Sequence, residues 1–230
     1  MNDTPFIDNK FHKDAIMALK IQDPAMALVF GFENTQRRSL AANLICLSGE
    51  LQNALRIPKE PMLAAIRVQW WYDTLAVAPS SYKGNIAPLV VRLQKHIQND
   101  DIERDDILKL IEAWQACTMD ETASTTQAWS ICWQLVGHYL GGHDTGDSAQ
   151  KIAPVLHATP TTDPATIPSL DNAFFGNLRK QVQESRQWWL YFAAIIGYHK
   201  HMYGHDAMDH DHLLVWRLLR WRLFGFKIAD

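Results

Sequence analysis

The sequence predicts an all-α protein, one helical bundle of about ten helices, and three observations predict it. Apolar residues recur three and four positions apart along most of the chain, and almost nothing alternates as a strand would. Only 11 of the 230 residues are glycine, too few for the many turns of a β protein. Nine tryptophans within a 47% hydrophobic composition require broad faces on which to be buried.

The elements follow in order. Asp23-Pro24 pairs an N-cap with a proline at the first helical position and opens a short apolar helix that runs to Phe32. Thr35 is the expected cap of the next helix, where Leu40, Leu44, Leu47, Leu51 and Leu55 form a buried stripe that ends at Pro58. Pro58 and Pro61 start a helix with Met62, Ile66 and Trp70 on one face, and Pro79-Ser80-Ser81 with Gly84 marks a loop. A helix over 86–97 precedes the acidic run 100–106, whose acids suit the first turn of a helix ending near Thr118. The next helix, 121–140, buries Trp129, Trp133 and Val136 and stops at Gly141-Gly142. A short helix covers 149–158, and the longest loop spans 159–168. A long helix starts near Leu170, its stripe traced by Phe174, Leu178, Val182, Trp189 and Phe192, and a last one spans 211–226. No linker or internal repeat divides the chain, so one domain over 1–230 is expected.

Composition removes whole classes of function. Lys and Arg number 22 against 25 Asp and Glu, a net charge of −3 that leaves no basic field for nucleic acid. The three cysteines, Cys46, Cys117 and Cys132, form no C-x-x-C pair, which argues against a disulfide scaffold and a cysteine-rich zinc site. Acids stand in the first eight residues where a signal or transit peptide carries basic ones, and no apolar run reaches membrane-spanning length. The expected location is the cytoplasm, with peripheral contact to the inner face of a membrane left open.

Few constellations carry chemistry. Asp101 and Asp105 form a D-x-x-x-D pair, read as the solvated entrance of a helix rather than a metal site. His201 and His205 lie four apart with Asp209 extending the row, a candidate divalent-metal site, although Gly204 signals a helix end within it. No G-x-S-x-G and no phosphate loop occur, and the run from Gly141 to Gly146 reads as loop. Near the C-terminus Arg217, Arg220 and Lys227 share one side of a helix, with Leu218, Leu219, Leu223 and Phe226 on the other and Arg222 inside the apolar arc. That pattern suits either packing on the bundle or an anionic membrane or partner surface.

One stretch is more specific. Arg38-Ser39-Leu40 and Glu50-Leu51 lead to Ile66-Arg67-Val68-Gln69-Trp70-Trp71-Tyr72-Asp73-Thr74-Leu75, which resembles the "IRLQWWRDAL"-like helix of the squalene/phytoene synthase family. Asp23-Pro24, Phe30 and Ile111-Glu112-Ala113 fit the same template. The run from Val155 to Pro160 is similar to the "LRATP" segment of the branch containing the mitochondrial complex I assembly factor. The similarity is densest over 23–76, continues to about 160 and is architectural beyond. It implies an isoprenoid-synthase bundle around an apolar cavity, in which active members hold Mg²⁺ on two aspartate-rich motifs and condense two prenyl diphosphates head to head.

Departures from that pattern decide what to expect. Where the first motif falls, the chain reads Ser48-Gly49-Glu50-Leu51-Gln52-Asn53-Ala54, with Glu50 its only acid. Where the second falls, from Gln150 to His157, there is no acid at all, and His157 replaces an arginine. One carboxylate cannot gather the cations that a departing diphosphate needs. The expectation is a non-catalytic family member that binds a partner protein or an isoprenoid or lipid ligand without a cofactor, as in respiratory complex assembly. Glu50, Arg67, Gln69 and Trp70 would line or brace the remnant cavity. The alternative is a Mg²⁺-dependent prenyl-diphosphate transferase whose metal site is rebuilt from Asp206 and Asp209. A third reading is a metal-binding module built on the C-terminal histidines.

Overall fold

Caps and prolines set where the helices begin. In the computed structural model, which describes residues 4–58, 60–78, 86–119, 124–141, 143–157, 170–204, 208, 211 and 213–227, the order is α1 (Thr4–Gln22), α2 (Pro24–Val29), a 3-10 turn (Phe30–Phe32), α3 (Thr35–Arg56), α4 (Pro61–Ala76), α5 (Pro88–Gln98), α6 (Arg104–Met119), α7 (Thr125–Gly141), α8 (His143–Leu156), α9 (Asn172–Ser185), α10 (Trp188–Tyr203) and α11 (Leu214–Phe224). The fold is all-α, with eleven α-helices and no strand among the described residues. The loops expected around 79–84 and 159–168 fall outside those residues or mostly so.

Asp23 caps α2 as its sequence predicts, its carboxylate accepting from the Met26 N–H at 3.0 Å. The cap of α3 is Asn34 rather than Thr35: its side-chain oxygen accepts from the Arg37 N–H at 2.9 Å, which moves Thr35 to the first helical position. Leu40, Leu44, Leu47 and Leu51 of the α3 stripe are buried as expected, Leu55 only half-buried, and from Ser39 to Gly49 the whole helix circumference is covered. One core cluster draws residues from α1 through α11. α3 lies in its midst, contacting α1, α4, α5, α6 and α7.

Three boundaries differ from expectation. α8 starts at His143, so most of the glycine-containing run read as loop is helical. The reason is backbone-to-backbone packing of α7 on α8. A Cβ on Gly137 would stand 2.6 Å from the Thr145 carbonyl oxygen, and one on Gly146 would stand 2.9 Å from that of Gln134. Those glycines serve a helix crossing, not a turn. Pro154 sits inside α8 near its end, where it removes the backbone hydrogen bond that its position would donate to the Gln150 carbonyl. Finally, the long helix expected from Leu170 is two: α9 ends at Arg186, which takes the left-handed conformation (φ 60°), and α10 begins at Trp188. The break lets Trp189 enter the core fully while Trp188 stays half-buried.

Candidate functional site

The α4 face carrying Met62, Ile66 and Trp70 points outward, with 76%, 58% and 45% of each residue exposed. Ala64, Val68, Trp71 and Leu75 are the residues α4 buries. The C-terminal end of α3 and this helix enclose a groove of about 210 Å³ lined by Glu50, Asn53, Ala54, Ile57, Arg67, Trp70 and Trp71. Trp71 forms its floor and Trp70 its wall, the rings meeting edge to face at 5.0 Å. Ile57, largely exposed, forms its apolar edge.

Of the residues expected at the cavity, Glu50, Arg67 and Trp70 come together here. Gln69 does not line the groove. Its amide donates to Asp73 at 2.7 Å and accepts from Gln115 at 2.8 Å, bracing α4 against α6. Ala54, one turn beyond Glu50, places a methyl in the groove where a second carboxylate would be needed. Just past α8, at the last position of the expected second motif, His157 sits among aromatic rings. His157 stacks on Trp129 at 3.6 Å, nearly parallel, and its Nε2 accepts from the indole N–H of Trp133 at 2.9 Å. That bond places the proton of the neutral ring on Nδ1. His157 therefore packs and hydrogen-bonds where a charged side chain was expected from the resemblance.

The His/Asp-rich row fares differently. His201 is exposed in the last turn of α10, and the helix stops at Tyr203, so the helical register does not run on from His201 to position 205. His205 and Asp209 lie outside the described residues. Among the described residues no group of three or more His, Cys, Asp or Glu is placed to hold a metal ion. At the C-terminus α11 ends at Phe224 and Gly225 (φ 83°) turns the chain, so Lys227 does not share a helix face with Arg217 and Arg220. Arg217 pairs with Asp211 at 3.1 Å, and Arg222 lies over the Trp188 ring at 5.2 Å. No described helix is long and apolar enough to cross a membrane.

One polar cluster had no sequence signal. Ser39 Oγ lies 3.2 Å from His96 Nε2, and His96 Nδ1 lies 2.7 Å from Asp101 Oδ2, with the Gln36 amide donating to the same carboxylate. Asp101 reaches back because Asp100 adopts a left-handed conformation (φ 58°) after α5, and the Asp101 N–H closes the turn onto the His96 carbonyl at 2.9 Å. Asp101 is thus a paired carboxylate, 6% exposed, and not part of a solvated face. The order Ser-His-Asp matches a nucleophile relay, but Ser39 and His96 are wholly buried on helices, with Phe11 packed over the imidazole at 5.1 Å. The cluster ties α3 to α5 and the start of α6 beneath α1.

Burial pushes the His96 pKa below the usual histidine range, and the Asp101 hydrogen bond offsets this only in part. Below the ordinary histidine pKa the unfolded chain takes up a proton that the folded one resists, so stability falls with pH from about 6.5 downward. His199, also pushed down by burial and then by Arg217, acts in the same sense. Thermal unfolding followed by circular dichroism between neutral pH and about pH 5 should show the midpoint falling. His96→Gln should flatten that slope by up to about 1.4 kcal/mol per pH unit. An unchanged slope would mean that His96 is not the titrating group.

These helices define an all-α protein with a small groove between α3 and α4. Compared with protein-family models, curated proteins and solved structures, the chain matches none.

Proposed function

We propose that this chain is a non-catalytic relative of the squalene/phytoene synthases that acts by holding a partner protein at the α3–α4 groove. The observation that carries the reading is the pairing of Glu50 with Ala54 in one groove: a single carboxylate, opposed by Arg67, cannot collect the Mg²⁺ ions a diphosphate leaving group requires. The absence of any acid from Gln150 to His157, with a stacked His157 where an arginine was expected, supports the same reading.

Size separates the two kinds of occupant. Small-molecule sites usually span roughly 300–1,000 Å³. A groove of about 210 Å³ suits one or two inserted side chains better than a whole isoprenoid. Ile57 in the groove, with Met62, Leu63 and Ile66 exposed elsewhere on α4, offers the exposed apolar surface that marks a protein interface. Resemblance to the complex I assembly factor branch makes assembly of a respiratory complex the context for that partner.

Two measurements test this. Purified protein mixed with farnesyl diphosphate and Mg²⁺ should release pyrophosphate no faster than buffer, and faster release with a condensed product would restore the transferase. In the native host, the tagged chain should retain a discrete protein that Trp70→Glu and Ile66→Glu both lose while their thermal midpoints stay near the parent's. Retention by both variants would move the interface elsewhere. A bound isoprenoid detected in place of a protein, by native mass spectrometry, would make the groove a ligand site.

A further inference from the structure

A second cleft, of about 370 Å³, lies between α9, α10 and the turn after α11 and shares no lining residue with the first. Its lining includes Asn172, Phe175, Arg179, Tyr191, Phe226 and Lys227, and it contains two cations and no carboxylate. Arg179 is fixed in place because its Nη2 donates to the carbonyls of Arg222 and Leu223 at 3.1 and 2.8 Å. Its Nε–H is buried with no protein acceptor. Tyr191, 1% exposed, accepts the Phe226 N–H at 2.7 Å, which leaves its own O–H as a donor. The Arg179 Nε–H and the Tyr191 O–H are thus donors that a ligand oxygen can satisfy.

The surface beside this cleft is equally particular. α11 buries Leu214 and Leu218, yet it is apolar on its outer side too. Trp216, Leu223 and Phe224 stand 71%, 69% and 76% exposed. Trp216 and Leu223 are two helical turns apart on the side opposite the buried pair. Arg220 lies between them, and both it and Lys227 lack an acidic partner among the described residues. Among the described residues, Asp211 pairs with Arg217 at 3.1 Å, and Asp171 caps α9 through the Phe174 N–H at 2.7 Å.

We propose that this surface docks on a bilayer containing anionic phospholipid, with the lipid phosphate in the Arg179–Tyr191–Lys227 cleft and the outer stripe of α11 in the headgroup layer. Charge complementarity selects the occupant. Aromatic and aliphatic protrusions flanked by unpaired cations match an anionic lipid surface, and the cleft supplies hydrogen-bond donors but no acceptor side chain of opposite sign. The site lies apart from the α3–α4 groove and stands whether or not that groove holds a partner.

Flotation of the full chain with vesicles tests it. Vesicles of phosphatidylcholine containing phosphatidylglycerol should carry the protein upward, and phosphatidylcholine alone should not. Lys227→Glu and Arg220→Glu should each weaken binding by about tenfold, as expected for reversing a charge at an anionic surface. Trp216→Ser with Phe224→Ser should abolish binding while salt dependence disappears with it. Because Arg179 also holds the end of α11, Lys227→Gln with an unchanged melting profile is the variant that probes the cleft alone. Inorganic phosphate competing fully at the same phosphate concentration would show a soluble-anion site and overturn bilayer docking. Equal binding to both vesicle types would overturn the charge argument, as would capture by polyglutamate with no vesicle binding.

Discussion

Trp133→Ala should lower stability by about 4 kcal/mol, the cost of removing a large aromatic ring from a packed core. Trp133 is wholly buried on α7 and forms a ring triangle with Phe30 at 6.2 Å and Trp189 at 6.3 Å, themselves 5.8 Å apart, and so joins the 3-10 turn, α7 and α10. Its indole N–H also donates to His157 at the end of α8. For a chain of this length the loss corresponds to a fall in melting temperature of about 10 °C. Trp133→Phe separates the two contributions: it keeps a ring in the stack but removes the donor, and should cost about 1–2 kcal/mol. Urea unfolding monitored by circular dichroism measures both. A Trp133→Phe variant as damaged as Trp133→Ala would make the hydrogen bond dominant, and equality of Trp133→Ala with the parent would remove Trp133 from the core.

That same cluster shows how far a sequence carries. The stripe Leu40 to Leu51 was legible because one face of α3 repeats at helical spacing and that face is buried. α4 was ambiguous for the opposite reason. It is apolar nearly all round, so Met62-Ile66-Trp70 and Ala64-Val68-Trp71-Leu75 both satisfy helical periodicity, and only packing against α3 and α6 selects the second set. The break at Arg186 was hidden because a left-handed arginine, without glycine or proline, leaves no mark on the pattern of apolar residues.

For the candidate site, Glu50, Arg67 and Trp70 were legible from the motif they resemble, since neighbouring helices α3 and α4 place them in one groove. Gln69 was misplaced within that set because one residue turns a helix by about 100°, enough to send its side chain to α6. His96 with Ser39 was beyond reach: the contact spans 57 residues and depends on how α5 crosses α3. The Arg179 cleft was likewise invisible, because its lining comes from α9, α10 and a turn whose geometry depends on Gly225.

Asp23→Ala should cost about 3 kcal/mol, although Asp23 is only part-buried, because one carboxylate does two tasks. Oδ1 caps α2 through the Met26 N–H, worth about 1 kcal/mol. Oδ2 accepts from Lys200 Nζ at 2.8 Å, across 177 positions of sequence, where the lysine side chain is 7% exposed. Removing the carboxylate takes this partner from a nearly buried ammonium, about 2 kcal/mol more. Asp23→Asn keeps the capping oxygen and loses the charge, so it should recover the first contribution and not the second. Pairing it with Lys200→Met removes both charges and should return part of the stability lost in Asp23→Asn alone, since an apolar side chain fits a site that α2 and α10 already enclose. Chemical denaturation of the four proteins decides the matter. If Asp23→Ala and Asp23→Asn differ by less than the cap is worth, or if Lys200→Met deepens the loss, the latch between α2 and α10 contributes packing alone.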